Sequence, residues 1–158
     1  MTFKIIPIPE RISSDVRARL VSPQYSHPAS VSMATGYGPC RACLRTFETG
    51  KDERILFTYN SFDGLSNLPL PGPVFIHKDD CETYEAPGFP ADLVDLPLLF
   101  EGFGKNSELI WRERANKENL HGQIGEILDA DEVRFINIRN AEAGCFVARI
   151  DRANREDR

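Results

Sequence analysis

The sequence predicts an α+β fold, a largely antiparallel sheet with a few short helices in a single domain. Three observations lead there. Strand-like segments outnumber helical ones by about three to one, they mostly follow one another with no helix between them, and turn-forming residues separate them. A chain of 158 residues is long enough for one self-sufficient core, because a domain of this size buries roughly 68–70% of its unfolded surface.

The elements follow in chain order. Phe3–Ile8 is a short apolar strand. Over Pro9–Leu20 the spacing of Ile12, Val16 and Leu20, four residues apart, gives one apolar stripe of an amphipathic helix. Ser22–Ser30 holds two prolines, a glutamine and three serines and reads as an exposed loop with a solvated His27. Val31–Thr35 is a strand, broken by Gly36-Tyr37-Gly38-Pro39, and Pro39 is placed to open a short helix over Cys40–Leu44. Arg54–Tyr59 and Val74–His77 are strands, the second led in by the proline-rich Leu68–Pro73. Leu96–Phe103 and Leu109–Arg114 form a hairpin through Gly104, Asn106 and Ser107. His121–Leu128 is a short helix. Val133–Arg139 and Cys145–Ile150 close the fold as a second hairpin across Asn140–Gly144. Residues 1–150 then form one globular domain and the charged tail 151–158 frays. The alternative architecture is a mixed sheet in which the Cys40 helix crosses between Val31–Thr35 and Arg54–Tyr59.

Hydrophobic residues at 41% and charged residues at 27% exclude disordered, collagenous and coiled-coil classes. A net charge of −5 supplies no general field for phosphate backbones or anionic lipid, so neither nucleic acid nor membrane is expected as a partner. No stretch approaches the roughly 18 apolar residues of a membrane span, and MTFKIIPIPE lacks the basic start of an export signal. A cytoplasmic protein is expected, and in that reducing compartment paired cysteines are more often metal ligands or redox groups than structural bridges.

Cys40 and Cys43 form a C-x2-C pair, and His77 and Cys81 an H-x3-C pair after a strand. A tetrahedral zinc ion with sulfur at about 2.3 Å needs short segments that each aim two ligands inward, and both spacings meet that demand. Three readings stand side by side. The four residues hold zinc; or Cys40 and Cys43 are reactive thiols in the first turn of a helix, activated by its dipole and by Arg41 and Arg45; or they are packing residues, since free cysteine behaves as a small buried hydrophobe. Cys145 starts the last strand and is expected to pack, and His121 to sit at the surface near a helix start. The carboxylates Asp79, Asp80 and Glu82 around Cys81 read as a solvated turn. Gly102-Phe103-Gly104-Lys105 lacks the spacing of a phosphate-binding loop and joins two strands.

The runs Gly38-Pro39-Cys40-Arg41-Ala42-Cys43-Leu44-Arg45, Ile55–Tyr59 and Gly72-Pro73-Val74-Phe75-Ile76-His77 with Cys81, together with Ile138-Arg139-Asn140-Ala141 and Gly144-Cys145, resemble the bacterial family called domain of unknown function 1203. Tyr59-Asn60-Ser61-Phe62 departs from that family's Tyr-x-Pro-Phe form at one turn. The resemblance marks the cysteine and histidine segments as characteristic and implies no activity, substrate or cofactor. The residues themselves offer no complete set of nucleophile, base and orienting group, which favours a small binding module over a metal- or thiol-dependent enzyme using Cys40, Cys43, His77 and Cys81; an interaction domain is the third class.

Overall fold

A computed structural model of the chain describes residues 2–36, 38–62 and 72–153. Tyr37, residues 68–71 of the proline-rich segment and 154–158 of the tail lie outside them, whereas Asp151 and Arg152, expected to fray, are held by pairing with Lys4 and Phe3. The elements are β1 (Phe3–Ile6), α1 (Glu10–Arg19), β2 (Ser30–Met33), β3 (Glu53–Tyr59), β4 (Gly72–His77), a single 3₁₀ turn (Ala91–Leu93), β5 (Leu98–Phe103), β6 (Leu109–Arg114), α2 (Leu120–Asp129), β7 (Phe135–Asn140) and β8 (Phe146–Arg152). Each strand expected from the sequence is present within a few residues of its expected ends. The fold class is α+β, with the strands in two antiparallel sheets.

The larger sheet has the order β1-β8-β7-β5-β6 and the smaller the order β2-β3-β4. All described pairings between strands are antiparallel, so the mixed-sheet alternative does not hold. Period-two alternation puts Leu98 and Phe100 of β5, Ile136 and Ile138 of β7, and Ala148 and Ile150 of β8 into one core. α2 covers it with Leu120, Ile124, Ile127 and Leu128, which share one helical face. Gly102 lies on this face, where a Cβ would stand 3.1 Å from the Cβ of Trp111 and 3.2 Å from Val133. Its missing side chain lets β6 and the end of α2 close on β5. The β7–β8 turn is built by Asn140, whose Oδ1 accepts from the Glu142 and Ala143 amides, and by Gly144 at φ +80°.

The second core lies under the small sheet. Ile8, Ile12 and Val16 pack with Ile55, Phe57 and Tyr59 of β3, Val74 and Ile76 of β4, and the Cys40–Cys43 segment. Leu20 does not continue the stripe of α1. It is 41% exposed and holds the left-handed C-cap position at φ 54°, donating its amide to the Val16 carbonyl. A fourth apolar turn would need the helix to run on, and the left-handed residue ends it. Tyr59–Phe62 is a turn held by Asn60: its Oδ1 accepts from the Phe62 amide and its Nδ2 donates to the Tyr25 hydroxyl.

The two outer stripe positions of α1 should therefore respond oppositely. Ile12→Ala removes a side chain only 3% exposed and should lower unfolding free energy by about 2–5 kcal/mol. Leu20→Gly relieves a left-handed leucine and should leave stability unchanged or raise it by up to about 1 kcal/mol. Urea denaturation followed by circular dichroism measures both; equal losses would contradict the assignment.

Candidate functional site

Cys40 and Cys43 occupy a tight turn, not the helix expected from Pro39. Pro39 and Thr46 form an isolated antiparallel bridge, the Cys40 amide donates to the Arg45 carbonyl at 2.8 Å, and the Leu44 amide donates back to the Cys40 carbonyl at 2.8 Å. Leu44 takes φ 60°, which turns the chain out of any helical path. Three further backbone groups of the turn are committed to other segments. The Arg41 and Ala42 carbonyls accept from the Ile8 and Tyr84 amides, and the Arg41 amide donates to the Phe75 carbonyl. No ladder can propagate, and the helix dipole invoked for reactive thiols is absent. Both sulfurs instead lie on residues buried to 0% and 5% exposure.

The turn is anchored from two sides. Leu44 enters the core of the larger sheet, whereas Cys40, Ala42 and Cys43 belong to the core of the smaller one. Arg41 is buried, and its guanidinium donates to the Phe146 and Pro39 carbonyls, each at 2.7 Å. Burial lowers its pKa to about 10, still far enough above neutrality to keep the charge.

β4 delivers the second pair. Its alternation turns Val74 and Ile76 into the core and leaves His77 at the strand end, paired across from Arg54 of β3. The exposed turn with Lys78, Asp79 and Asp80 then brings Cys81 back, with Glu82 also exposed, as the solvated-turn reading expected. The structure brings all four ligand-type residues together: one ligand atom from each of Cys40, Cys43, His77 and Cys81 lies within 4.8 Å of the others. Cys40 Sγ is 3.9 Å from Cys81 Sγ, and Cys43 Sγ is 3.4 Å from His77 Nδ1.

Outer groups fix these four. His77 Nε2 faces Asp52 Oδ2 at 3.3 Å, and the same oxygen accepts from the Glu48 amide at 2.7 Å. An N–H at Nε2 directed at this carboxylate leaves the Nδ1 lone pair facing the sulfurs. Phe47 packs edge-on against the imidazole at 4.8 Å. Arg17 of α1 spans the H-x3-C segment, with Nε donating to the His77 carbonyl at 3.1 Å and Nη2 to Cys81 Sγ at 3.1 Å. The His77 amide donates to Cys40 Sγ at 3.3 Å. Asp52, Arg17 and Phe47 had no signature in the sequence. Arg17 adjoins Val16 on a recognisable helix, but nothing local ties it to a cysteine 64 positions on.

When the cluster has only protons to share, hydrogen bonds from Cys40, then Cys81, hold the Cys43 thiol well below the usual range, and those from Cys40 and Cys43 push His77 up to about 10. Cys81 is pushed up by its hydrogen bonds to Cys40, then Cys43, which favour the protonated thiol, and then by burial. The Glu48 amide chiefly lowers Asp52.

The remaining candidates lie elsewhere. His27 is exposed and stacked on Tyr25, and His121 is exposed at the start of α2 beside Phe3. Cys145 is partly exposed just before β8, with its sulfur 4.0 Å from the Ala143 carbonyl, so it is less deeply packed than its strand position suggested. Cys43 and Cys81 border a cleft of about 940 Å³ that also carries Arg45 and the carboxylates of Glu10, Glu82 and Asp92. No helix among the described residues is long and apolar enough to cross a membrane.

The family model described as Protein of unknown function (DUF1203) matches residues 37–152, a span that includes all four clustered residues, and the chain belongs to that family. No curated protein and no solved structure matches the chain.

Chain kept free of metal by a chelator should show a stability plateau. His77, raised from 6.5, stabilises the fold fully below that pH and progressively less up to about 10. Cys43, lowered from 9.0, contributes fully above pH 9 and progressively less as pH falls. Between about 6.5 and 9 the two slopes oppose each other; below that window the loss at Cys43 dominates, and above it the losses at His77 and Cys81. Denaturant midpoints measured across this range should be level within the window and fall on both sides, whereas a monotonic profile would contradict the assigned pair.

Proposed function

We propose that this DUF1203 member is a metal-binding module in which Cys40, Cys43, His77 and Cys81 hold one zinc ion in a closed, structural site. The observation that carries the reading is the convergence of the four ligand atoms within 4.8 Å. With sulfur at about 2.3 Å and nitrogen at about 2.0 Å from zinc, the edges of a regular tetrahedron are about 3.5–3.8 Å. The Cys40–Cys81 and Cys43–His77 separations of 3.9 and 3.4 Å fall beside those values, so each pair needs only small adjustment to ligate.

Charge and orientation support the same ion. Three thiolates against a divalent cation leave one excess negative charge, and the Arg17 guanidinium on Cys81 and that of Arg45 beside Cys43 offset it. Asp52 on His77 Nε2 is the carboxylate that commonly orients a zinc-bound imidazole. Four protein ligands complete a tetrahedron, whereas a catalytic zinc keeps one position for water or substrate. The ion would then fasten the Cys40–Cys43 turn to the end of β4 and, through Leu44 and Arg41, support residues 1–150 as one domain.

A metal- or thiol-dependent enzyme is the second reading, favoured by the cleft that Cys43 and Cys81 border. Specific turnover in a hydrolase and oxidoreductase screen, abolished by Cys40→Ser in a variant that still folds, would replace the structural reading with this one.

Untagged protein should contain one zinc per chain by elemental analysis, lost in Cys43→Ser and in His77→Ala and lost on acidification as protons reclaim the thiolates. Free zinc about a thousandfold above its Kd should stabilise the fold by about 4 kcal/mol, seen as a fall in Tm on chelation. Metal-free protein with unreactive thiols would establish the packing reading instead. Asp52→Ala removes the group that orients the imidazole and should weaken zinc affinity by about 10–100-fold in a chelator competition assay, with one zinc still bound at saturation.

A further inference from the structure

The three sulfurs of the cluster are not equivalent. Cys40 and Cys43 are buried, whereas Cys81 is only partly buried; Cys43 and Cys81 both border the cleft, and of the three cysteines Cys81 is the most exposed. Arg17 directs a guanidinium N–H at Cys81 Sγ from 3.1 Å, and a thiol that ligates zinc is deprotonated by the metal itself. Cys40 Sγ stands 3.9 Å from the same atom, a separation that must shorten to about 2.05 Å for a bond. A sulfur that combines thiolate character, exposure and a second cysteine beside it meets the conditions for reversible oxidation.

We propose that Cys81 is a modification site for peroxides, its sulfenic acid captured by Cys40 as a disulfide that expels the metal. The inference rests on the zinc reading and names its regulation. In the first step the Cys81 thiolate attacks one peroxide oxygen: an S–O bond forms, the O–O bond breaks, and the departing hydroxide takes up a proton to become water. In the second step the Cys40 thiolate attacks the Cys81 sulfur: the S–S bond forms, the S–O bond breaks, and a second hydroxide leaves. Two electrons pass from the two sulfurs to one peroxide. Zinc is left with Cys43 and His77 alone, half its ligand set, and dissociates. The buried Cys40 reaches no oxidant except through Cys81.

Cys145 supplies an internal control, since it too is partly exposed, yet its sulfur faces a carbonyl and it stands outside the four-residue cluster. The test is titration of the zinc-loaded full chain with hydrogen peroxide, using a chromophoric chelator to report free zinc and alkylation with peptide mapping to locate disulfides. Zinc should appear in step with a Cys40–Cys81 disulfide, return to the site after thiol reduction and zinc addition, and appear unchanged in Cys145→Ser. A Cys40–Cys43 disulfide in its place, zinc release that depends on Cys145, or retention of zinc at peroxide levels that oxidise Cys145 would overturn the proposal. If the chain binds no zinc, the metal reading falls by itself. The same map on reduced, metal-free chain then decides the disulfide: capture of Cys81 by Cys40 upholds the modification site, and its absence removes it.

Discussion

The Cys40–Arg45 turn is where the two cores are joined, and its backbone hydrogen bonds are the constraint on which the surrounding structure depends. A buried amide or carbonyl without a partner costs roughly as much as a lost hydrogen bond, so each group in this turn dictates a neighbour's position. The Arg41 carbonyl takes the Ile8 amide and thereby sets where β1 hands over to α1. The Arg41 amide takes the Phe75 carbonyl and sets the height of β4, and the Ala42 carbonyl takes the Tyr84 amide and sets the return path after Cys81. The Arg41 side chain adds β8 through the Phe146 carbonyl. Four segments that are distant in sequence meet on one turn of six residues. The H-x3-C segment is carried to the C-x2-C pair because both ends of it, at Phe75 and at Tyr84, are bonded to that turn.

Why sulfur and imidazole occupy this junction follows from the modest size of the small sheet. β2 is exposed along its whole length, so the sheet offers α1 one apolar face built chiefly from β3 and β4. Three short strands and a ten-residue helix bury little surface by themselves, and small structures of this kind commonly add a cross-link or a metal. The junction also tolerates polarity because its donors are matched to acceptors. The His77 amide and the Arg17 guanidinium point at sulfur, and Asp52 receives the far side of the imidazole. A cluster of partnered groups fixes one arrangement of the chain, whereas the same residues unpartnered would be costly to bury.

The sequence was most informative where periodicity or spacing governs, and least where long-range contacts decide. The antiparallel sheets follow from alternation and turn residues, and Asn140 with Gly144 marked the closing hairpin. Two and three intervening residues within the pairs were enough to anticipate that Cys40, Cys43, His77 and Cys81 converge. The helix expected at Pro39 failed because a proline at a first-turn position describes only the local backbone, and the partners that hold the turn open come from Ile8, Phe75 and Tyr84. Leu20 fits an apolar stripe on spacing alone, yet the left-handed cap removes it from the core. Asp52 and Arg17 were invisible for a related reason. A carboxylate 25 positions before a histidine becomes its partner only once β3 and β4 have paired.

The asymmetry of the cluster is set by the two kinds of local structure that supply it. A C-x2-C turn with Ala42 and Leu44 as its apolar members is drawn inward, and its sulfurs go with it. The H-x3-C segment cannot follow to the same depth, because the residues flanking Cys81 are Asp79, Asp80 and Glu82 and each carboxylate must stay in water. His77 is held by Asp52 and Phe47, while Cys81, only partly buried among its acidic neighbours, is steadied by Arg17. Replacing those carboxylates with apolar residues would let the turn sink and erase the distinction among the three sulfurs. The acidic run at 79–82, which carries no ligand beyond Cys81 itself, is thus what leaves one sulfur of the cluster facing solvent.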